Sequence, residues 1–213
     1  MHMWMILTNI KKNIVLLLEV LFPSYCYICK IEGPSICVSC LKKRILVIET
    51  PSTVITSVYS FKDPAIKKII HAIKYFHRKD LVAPLVISIV RTLRQKDIPY
   101  SVIVPIPMPL LRKYIRGHNH AETIAYEISQ QTGFPLRCDL LTRAVTKKRQ
   151  VTTMSRSERL KNQYGSFKVL CDVSGMSILL TDDVTTTGAT LLEARRALLK
   201  SGASSVEAIT IAH

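Results

Sequence analysis

The chain has 213 residues, of which 48% are hydrophobic, enough for one α/β domain with a real core plus a small accessory module. That composition excludes an intrinsically disordered chain. Thirty Lys and Arg against 15 Asp and Glu give a formal charge of +15 and an isoelectric point near 9.7, which points to an anionic partner: a phosphate-bearing metabolite, nucleic acid or a membrane surface.

In chain order, the first element is "NIVLLLEVLF" after Lys11 and Lys12. It is short, contains Glu19 and lacks a small-residue cleavage site, so it reads as an amphipathic helix packed on the rest; a signal peptide is the alternative. Next come Cys26, Cys29, Cys37 and Cys40, two CxxC pairs separated by "KIEGPSI", where Gly33 and Pro34 supply a turn. Each pair sets two thiolates on one knuckle, and two knuckles complete a tetrahedral site suited to structural Zn²⁺. The short spacer makes the module minimal, so metal binding supplies much of its folding free energy. A redox or vestigial cysteine cluster is the competing reading. Cys138 and Cys171 stand alone and read as small core residues.

A domain boundary is expected near "ETPST", with residues 1–50 forming the N-terminal helix and zinc module and 51–213 a second domain. "TVITSVYSF" reads as a strand. Asp63 as N-cap and Pro64 at the first helical position open a helix whose Ile66, Ile69, Ile70 and Ile73 share one face. Lys67, Lys68 and Lys74 lie off that stripe, most simply on a solvated face. Asp80 is expected to cap a second helix carrying Val82, Leu85, Val86, Ile89 and Leu93 along one side. "YSVIVPIP" is continuously apolar, as strands of a parallel sheet are. A third helix runs from about Asn119 to Gln131 and stops at Gly133. His118 and His120 at its start read as capping or surface residues. "GSFKVL" and "SILLT" read as strands, "LLEARRALLKSG" as a helix closed by Gly202, and "SVEAITIA" as a last strand. Strands alternating with helices predict an α/β fold with a mostly parallel twisted sheet and helices on both faces.

The chemistry concentrates in "LLTDDVTTTGATLLEARR". In an open parallel sheet, ligands sit at the carboxyl ends of strands, and a strand that opens directly into a helix offers free backbone N–H groups and a positive dipole to an anion. Gly188 allows close backbone approach, and the hydroxyls of Thr185, Thr186, Thr187 and Thr190 donate to phosphate oxygens without adding charge. Asp182 and Asp183 would repel that phosphate. They require a partner with donors or a cation, which a ribose diol with Mg²⁺ supplies.

"ILLTDDVTTTGAT" resembles the phosphoribosyl-pyrophosphate signature of the type I phosphoribosyltransferases. The resemblance implies that Asp182 and Asp183 hold the ribose hydroxyls with Mg²⁺ and that Thr185, Thr186, Thr187, Gly188, Ala189 and Thr190 cradle the 5′-phosphate. "YSFKDPAIKKIIHAIKYFHRKDLVAPL", "VPIPMPLLRKYIRGHNHAE", "SRSERLKNQYGSF" and the cysteine module ending in "CVSCL" are similar to segments of the ComF competence-protein family. That likeness implies a cytoplasmic protein, peripheral to the inner membrane as an alternative, that takes part in natural transformation. Its implied partners are phosphoribosyl pyrophosphate, single-stranded DNA and a DNA-uptake helicase or channel. Arg112, Lys113 and Arg116 follow the "VPIP" strand and are expected on the pyrophosphate side. The basic run from Arg143 through Arg149 to Arg156, Arg159 and Lys161 occupies the place of the family's flexible loop and is expected to form a lid over pyrophosphate, with a nucleic-acid path as second use. Aromatic interleaving there is limited to Tyr164 and Phe167, so base stacking is weakly signalled.

Thr186 stands where some purine-salvage relatives carry an acidic base, and a hydroxyl has no acid–base power near neutral pH. Two function classes follow: a phosphoribosyltransferase with an unassigned acceptor, and a non-catalytic phosphoribosyl-pyrophosphate sensor that binds nucleic acid or a helicase.

Overall fold

The computed structural model describes residues 23–49, 54–109, 114, 117–144 and 165–213. The chain divides into two compact units, one ending at Lys43 and one running from Arg44 to His213. The helix expected over residues 13–22 lies outside the described residues.

In the first unit, Tyr25 and Glu32 form an isolated antiparallel bridge, and the turn between them is tightened by Cys26 N–H donating to Ile31 O at 2.9 Å. A short helix, α1 (Val38–Lys42), starts directly after Cys37 and buries Cys40 and Leu41.

The second unit is built on a five-stranded sheet. Its strands are β1 (Ile45–Glu49), β2 (Ile55–Tyr59), β3 (Val102–Pro105), β6 (Ser177–Val184) and β7 (Ser205–Ala212), in the order β1-β2-β7-β6-β3. β2, β7, β6 and β3 are mutually parallel, and β1 joins the edge antiparallel to β2. The expected mostly parallel α/β sheet is therefore present. β1 went unforeseen because its interior residues Leu46 and Val47 are exposed, as a half-covered edge allows.

The helices follow from their sequence signals. Asp63 caps α2 (Pro64–Tyr75), its carboxylate accepting from Ala65 N–H at 2.8 Å and Ile66 N–H at 3.3 Å, and the isoleucine stripe turns inward. Ile66 and Ile69 are fully buried, each contributing about 1.5–3 kcal/mol of transfer free energy. Asp80 does not cap the next helix. It sits inside a short 3₁₀ turn (Lys79–Leu81) and takes a two-pronged hydrogen bond from Arg78 at 2.8 Å, so α3 (Val82–Lys96) starts without a side-chain cap. α4 (His120–Thr132) is capped by Asn119 and ends at Gly133, whose left-handed φ of +79° accepts the turn.

One face of the sheet, carrying Val102, Val104, Ile178, Leu180, Val206 and Ala208, packs on Leu191, Ala194 and Leu198 of α5 (Ala189–Lys200). The alternate residues Ile103, Leu179, Ile209 and Ile211 are buried toward the other face, where α3 and α4 lie against the strands. "GSFKVL" does not enter this sheet. Its strand β5 (Phe167–Val169) pairs antiparallel with β4 (Leu141–Arg143) in a separate ribbon whose Leu141 and Phe167 join the α5 core. Cys138 and Cys171, beside that ribbon, are exposed rather than buried, because the inward positions are taken by Leu140, Leu141 and Phe167. Among the described residues, no helix is long and apolar enough to cross a membrane.

Candidate functional site

The parallel strands present their carboxyl ends together, and β6 ends there on Asp182, Asp183 and Val184. Strand alternation sends the two carboxylates to opposite faces. Asp183 turns toward α2, where its Oδ2 lies 2.7 Å from Nζ of Lys74. Lys74 is therefore a half-buried ion-pair partner of the strand-end carboxylate, contrary to its reading as a solvated residue. Asp182 is half-buried and lies within electrostatic reach of both Lys74 and Arg143. Burial first, and then the neighbouring Asp183 carboxylate, push its carboxyl up to about 7, against the opposing pull of Lys74 and Arg143. Each carboxylate also accepts from the next backbone N–H: Asp183 N–H to Asp182 Oδ1 at 2.8 Å, and Val184 N–H to Asp183 Oδ1 at 2.6 Å. These bonds hold both groups at the strand end.

Beyond Val184 the chain turns tightly into α5. Thr185 is buried: its N–H donates to Ala212 O at 3.0 Å, and its hydroxyl oxygen accepts from Gly188 N–H at 3.1 Å. Thr187 accepts from Ala189 N–H at 3.4 Å, whereas Thr186 is exposed. Gly188 sits at φ +73°, and a Cβ there would lie 2.8 Å from Ile55 Cδ1. The left-handed backbone favours glycine at this point, and a Cβ would also oblige the end of the Ile55 side chain to shift. The result is a hydroxyl-lined turn at the amino end of a twelve-residue helix, beside two carboxylates.

Two further elements close on this end of the sheet. Ile106, just past β3, donates to Thr181 O at 2.9 Å and accepts from the buried Asn119 side chain at 2.9 Å. Asn119 thereby fastens the start of α4 to the strand end. It, and not the histidines, caps the helix; His120 is buried and His118 half-buried, and the ring of His118 lies 5.2 Å from that of His77, tilted by 46°, and 4.6 Å from that of His120, edge to face at 84°. Arg143, read from sequence as the start of a mobile basic run, is fixed on β4. Its Nε donates to Pro107 O at 2.9 Å and its guanidinium lies 4.9 Å from the Phe167 ring. Lys74 is the site neighbour that sequence reasoning missed, whereas Arg143 was expected near the site only as the start of a covering loop. Arg112, Lys113, Arg116, Arg156 and Arg159 lie outside the described residues.

The cysteine module is a second candidate site. The sulfurs of Cys26, Cys29, Cys37 and Cys40 all lie within 4.8 Å of one another, and those of Cys29 and Cys37 are 3.8 Å apart. A tetrahedron of ~2.3 Å metal–sulfur bonds has edges of ~3.8 Å, so the four thiols could hold a metal ion. Cys37 N–H points at the Cys26 sulfur at 3.4 Å, the kind of donor that steadies a metal-bound thiolate. The Ser39 hydroxyl brings the Cys37 thiol down to about 6, while its contact with Cys37 and its burial push Cys40 up to about 12.

Comparison with known proteins agrees with this architecture. A phosphoribosyl transferase domain model matches residues 117–213, which hold α4, the ribbon, β6, the threonine turn, α5 and β7. The chain is 27% identical over 152 residues to the DNA utilization protein YhgH of Escherichia coli K12, covering 68% of this chain and 65% of that protein. It is 35% identical over 113 residues to the competence protein ComFC of Bacillus subtilis, covering 53% and 44% respectively. Among solved structures, the glutamine phosphoribosylpyrophosphate amidotransferase from Bacillus subtilis aligns at 18% identity and a TM-score of 0.42, over 66% of this chain and 30% of that one. The sheet order, the strand-end turn and the domain match define a phosphoribosyltransferase-type fold. Within that class, relatives named for competence and DNA utilization bear out the resemblance to the ComF family.

Proposed function

We propose that the second unit binds phosphoribosyl pyrophosphate with Mg²⁺ and that the protein serves natural transformation, handling incoming single-stranded DNA. The observation that carries the reading is the pairing of Asp182 and Asp183 with the Thr185–Gly188 turn at the amino end of α5, carboxylates and phosphate donors side by side. Asp182 and Asp183 would take the ribose hydroxyls, and the turn's backbone N–H groups with Thr186, Thr187 and Thr190 would take the 5′-phosphate. Mg²⁺, when bound with the ligand, offsets pyrophosphate charge. Arg112, Lys113 and Arg116 are proposed for the pyrophosphate side, and Arg156 and Arg159 for a covering loop. Lys74 orients Asp183 before ligand arrives through their 2.7 Å ion pair, and Lys74 and Arg143 add positive potential around Asp182. The first unit is proposed as a structural Zn²⁺ module, held by Cys26, Cys29, Cys37 and Cys40. The competence and DNA-utilization names of the relatives support the cellular role.

Calorimetric titration of zinc-loaded protein with phosphoribosyl pyrophosphate and Mg²⁺ tests the site. Saturable binding, abolished by Asp182→Ala with Asp183→Ala, is expected; no heat from a folded wild type would overturn the phosphoribosyl reading. The second reading, a sensor without turnover, is favoured by the hydroxyl at Thr186. Pyrophosphate release in the presence of an acceptor decides between them.

A further inference from the structure

The solvent face of α2 carries a feature that the strand-end site does not use. The inward stripe of this helix is aliphatic, and its outward positions are Lys67, Lys68, His71 and Tyr75, followed by Phe76 just past the last turn. Tyr75 is 54% and Phe76 66% exposed. The rings are clustered: His71 lies 4.5 Å from Tyr75 at 40° and 5.7 Å from Phe76 at 57°. Three exposed aromatic rings, Tyr75 and Phe76 each in contact with His71, form a platform on this face.

Cations border it on both sides. Lys67 and Lys68 are exposed one turn earlier, and Lys79 is exposed just after it. The nearby acids on these elements are engaged by arginines, Asp63 by Arg44 at 3.3 Å and Asp80 by Arg78 at 2.8 Å. Aromatic rings flanked by lysines on a chain of charge +15 match the two faces of an unpaired nucleotide, a flat base and an anionic phosphate. A duplex buries its base faces and offers this platform only its backbone.

We propose that His71, Tyr75 and Phe76 form a base-stacking platform for single-stranded nucleic acid, with Lys67, Lys68 and Lys79 contacting the backbone. This deepens the proposed nucleic-acid role and rests on it. It places the strand on the same helix that sends Lys74 to Asp183, so strand and phosphoribosyl ligand would share α2 as a common support.

The test is fluorescence anisotropy of a labelled oligothymidylate of about 20 nucleotides, titrated with full-length zinc-loaded protein, against a duplex of equal length. Tighter binding of the single strand is expected. Tyr75→Leu with Phe76→Leu should weaken it by ~tenfold or more, while Tyr75→Phe with Phe76→Tyr retains it, because stacking needs a ring and not merely an apolar side chain. Lys67→Gln with Lys68→Gln should flatten the salt dependence. If wild type binds the strand and the leucine variant binds equally well, the platform is overturned while the nucleic-acid reading stands. Equal affinity for duplex, or rescue by leucine, also overturns stacking. If folded wild type binds neither probe, the nucleic-acid reading and the platform fall together.

Discussion

The cysteine module and the carboxylate turn at the end of β6 are two candidate sites built on opposite principles. In the module, every candidate ligand atom comes from Cys26 to Cys40, and among the described residues of that unit the buried aliphatic side chains are Ile36 and Leu41. The strand-end site draws on Lys74, Arg143, Asp182, Asp183 and the Thr185–Gly188 turn, brought together by a sheet whose core is complete without any ligand. A site of the first kind should depend on its occupant for its fold. A site of the second kind should tolerate an empty state and lose only binding.

The largest effect that would break this contrast is on the module. Chelation, or Cys26→Ser with Cys29→Ser, is expected to unfold residues of the first unit, since a structural zinc site contributes on the order of 10 kcal/mol. The amide spectrum of Arg44–His213 should persist. Loss of dispersion across the whole chain on chelation would show that both units depend on the metal. Smaller is the effect of Gly188→Ala, which forces a Cβ to 2.8 Å from Ile55 Cδ1 at φ +73°. Urea unfolding should report a loss of about 1–3 kcal/mol, confined to the second unit. An unchanged midpoint would mean that the turn relaxes freely and is not preformed.

The smallest effect sharpens the contrast through pH. Burial and the Asp183 carboxylate push the Asp182 carboxyl up from its ordinary 3.8 to about 7, so between these values the folded state holds the extra proton. Stability from this group is fully present below the lower value and is lost as pH rises through the upper one. Asp182→Asn should therefore melt higher than wild type at pH 8, with a gain that shrinks toward pH 4. A constant difference across that range would place the cause in packing rather than in charge.

What the sequence made legible follows the same division. Asp63-Pro64, Asn119 and Gly133 marked helix ends because capping is local, and the apolar runs at Val102–Pro105 and Ile178–Leu180 marked buried parallel strands. The carboxylates and the threonine turn were legible because they are contiguous. Lys74 was not, since nothing within α2 announces a carboxylate more than a hundred residues later at 2.7 Å. The fixed place of Arg143 was hidden for the same reason: it depends on a pairing with Phe167 that skips the intervening chain. The aromatic cluster at His71, Tyr75 and Phe76 is not legible in the sequence, because the isoleucine stripe accounts for α2 by its buried face and Phe76 joins the cluster only past the last helical residue.

The edges of the main sheet carry a last consequence. Outside β3, the segment around Leu136 has already taken the free backbone groups: Ile103 donates to Pro135 O at 2.7 Å and accepts from Arg137 N–H at 3.0 Å. At the opposite edge, the pairing of β1 with β2 is irregular between Ile45 and Ile48. One border is occupied and the other misshapen, which discourages a second sheet from annealing to either. A partner that meets this sheet is therefore held by the side chains and turn N–H groups at its carboxyl end rather than added as another strand.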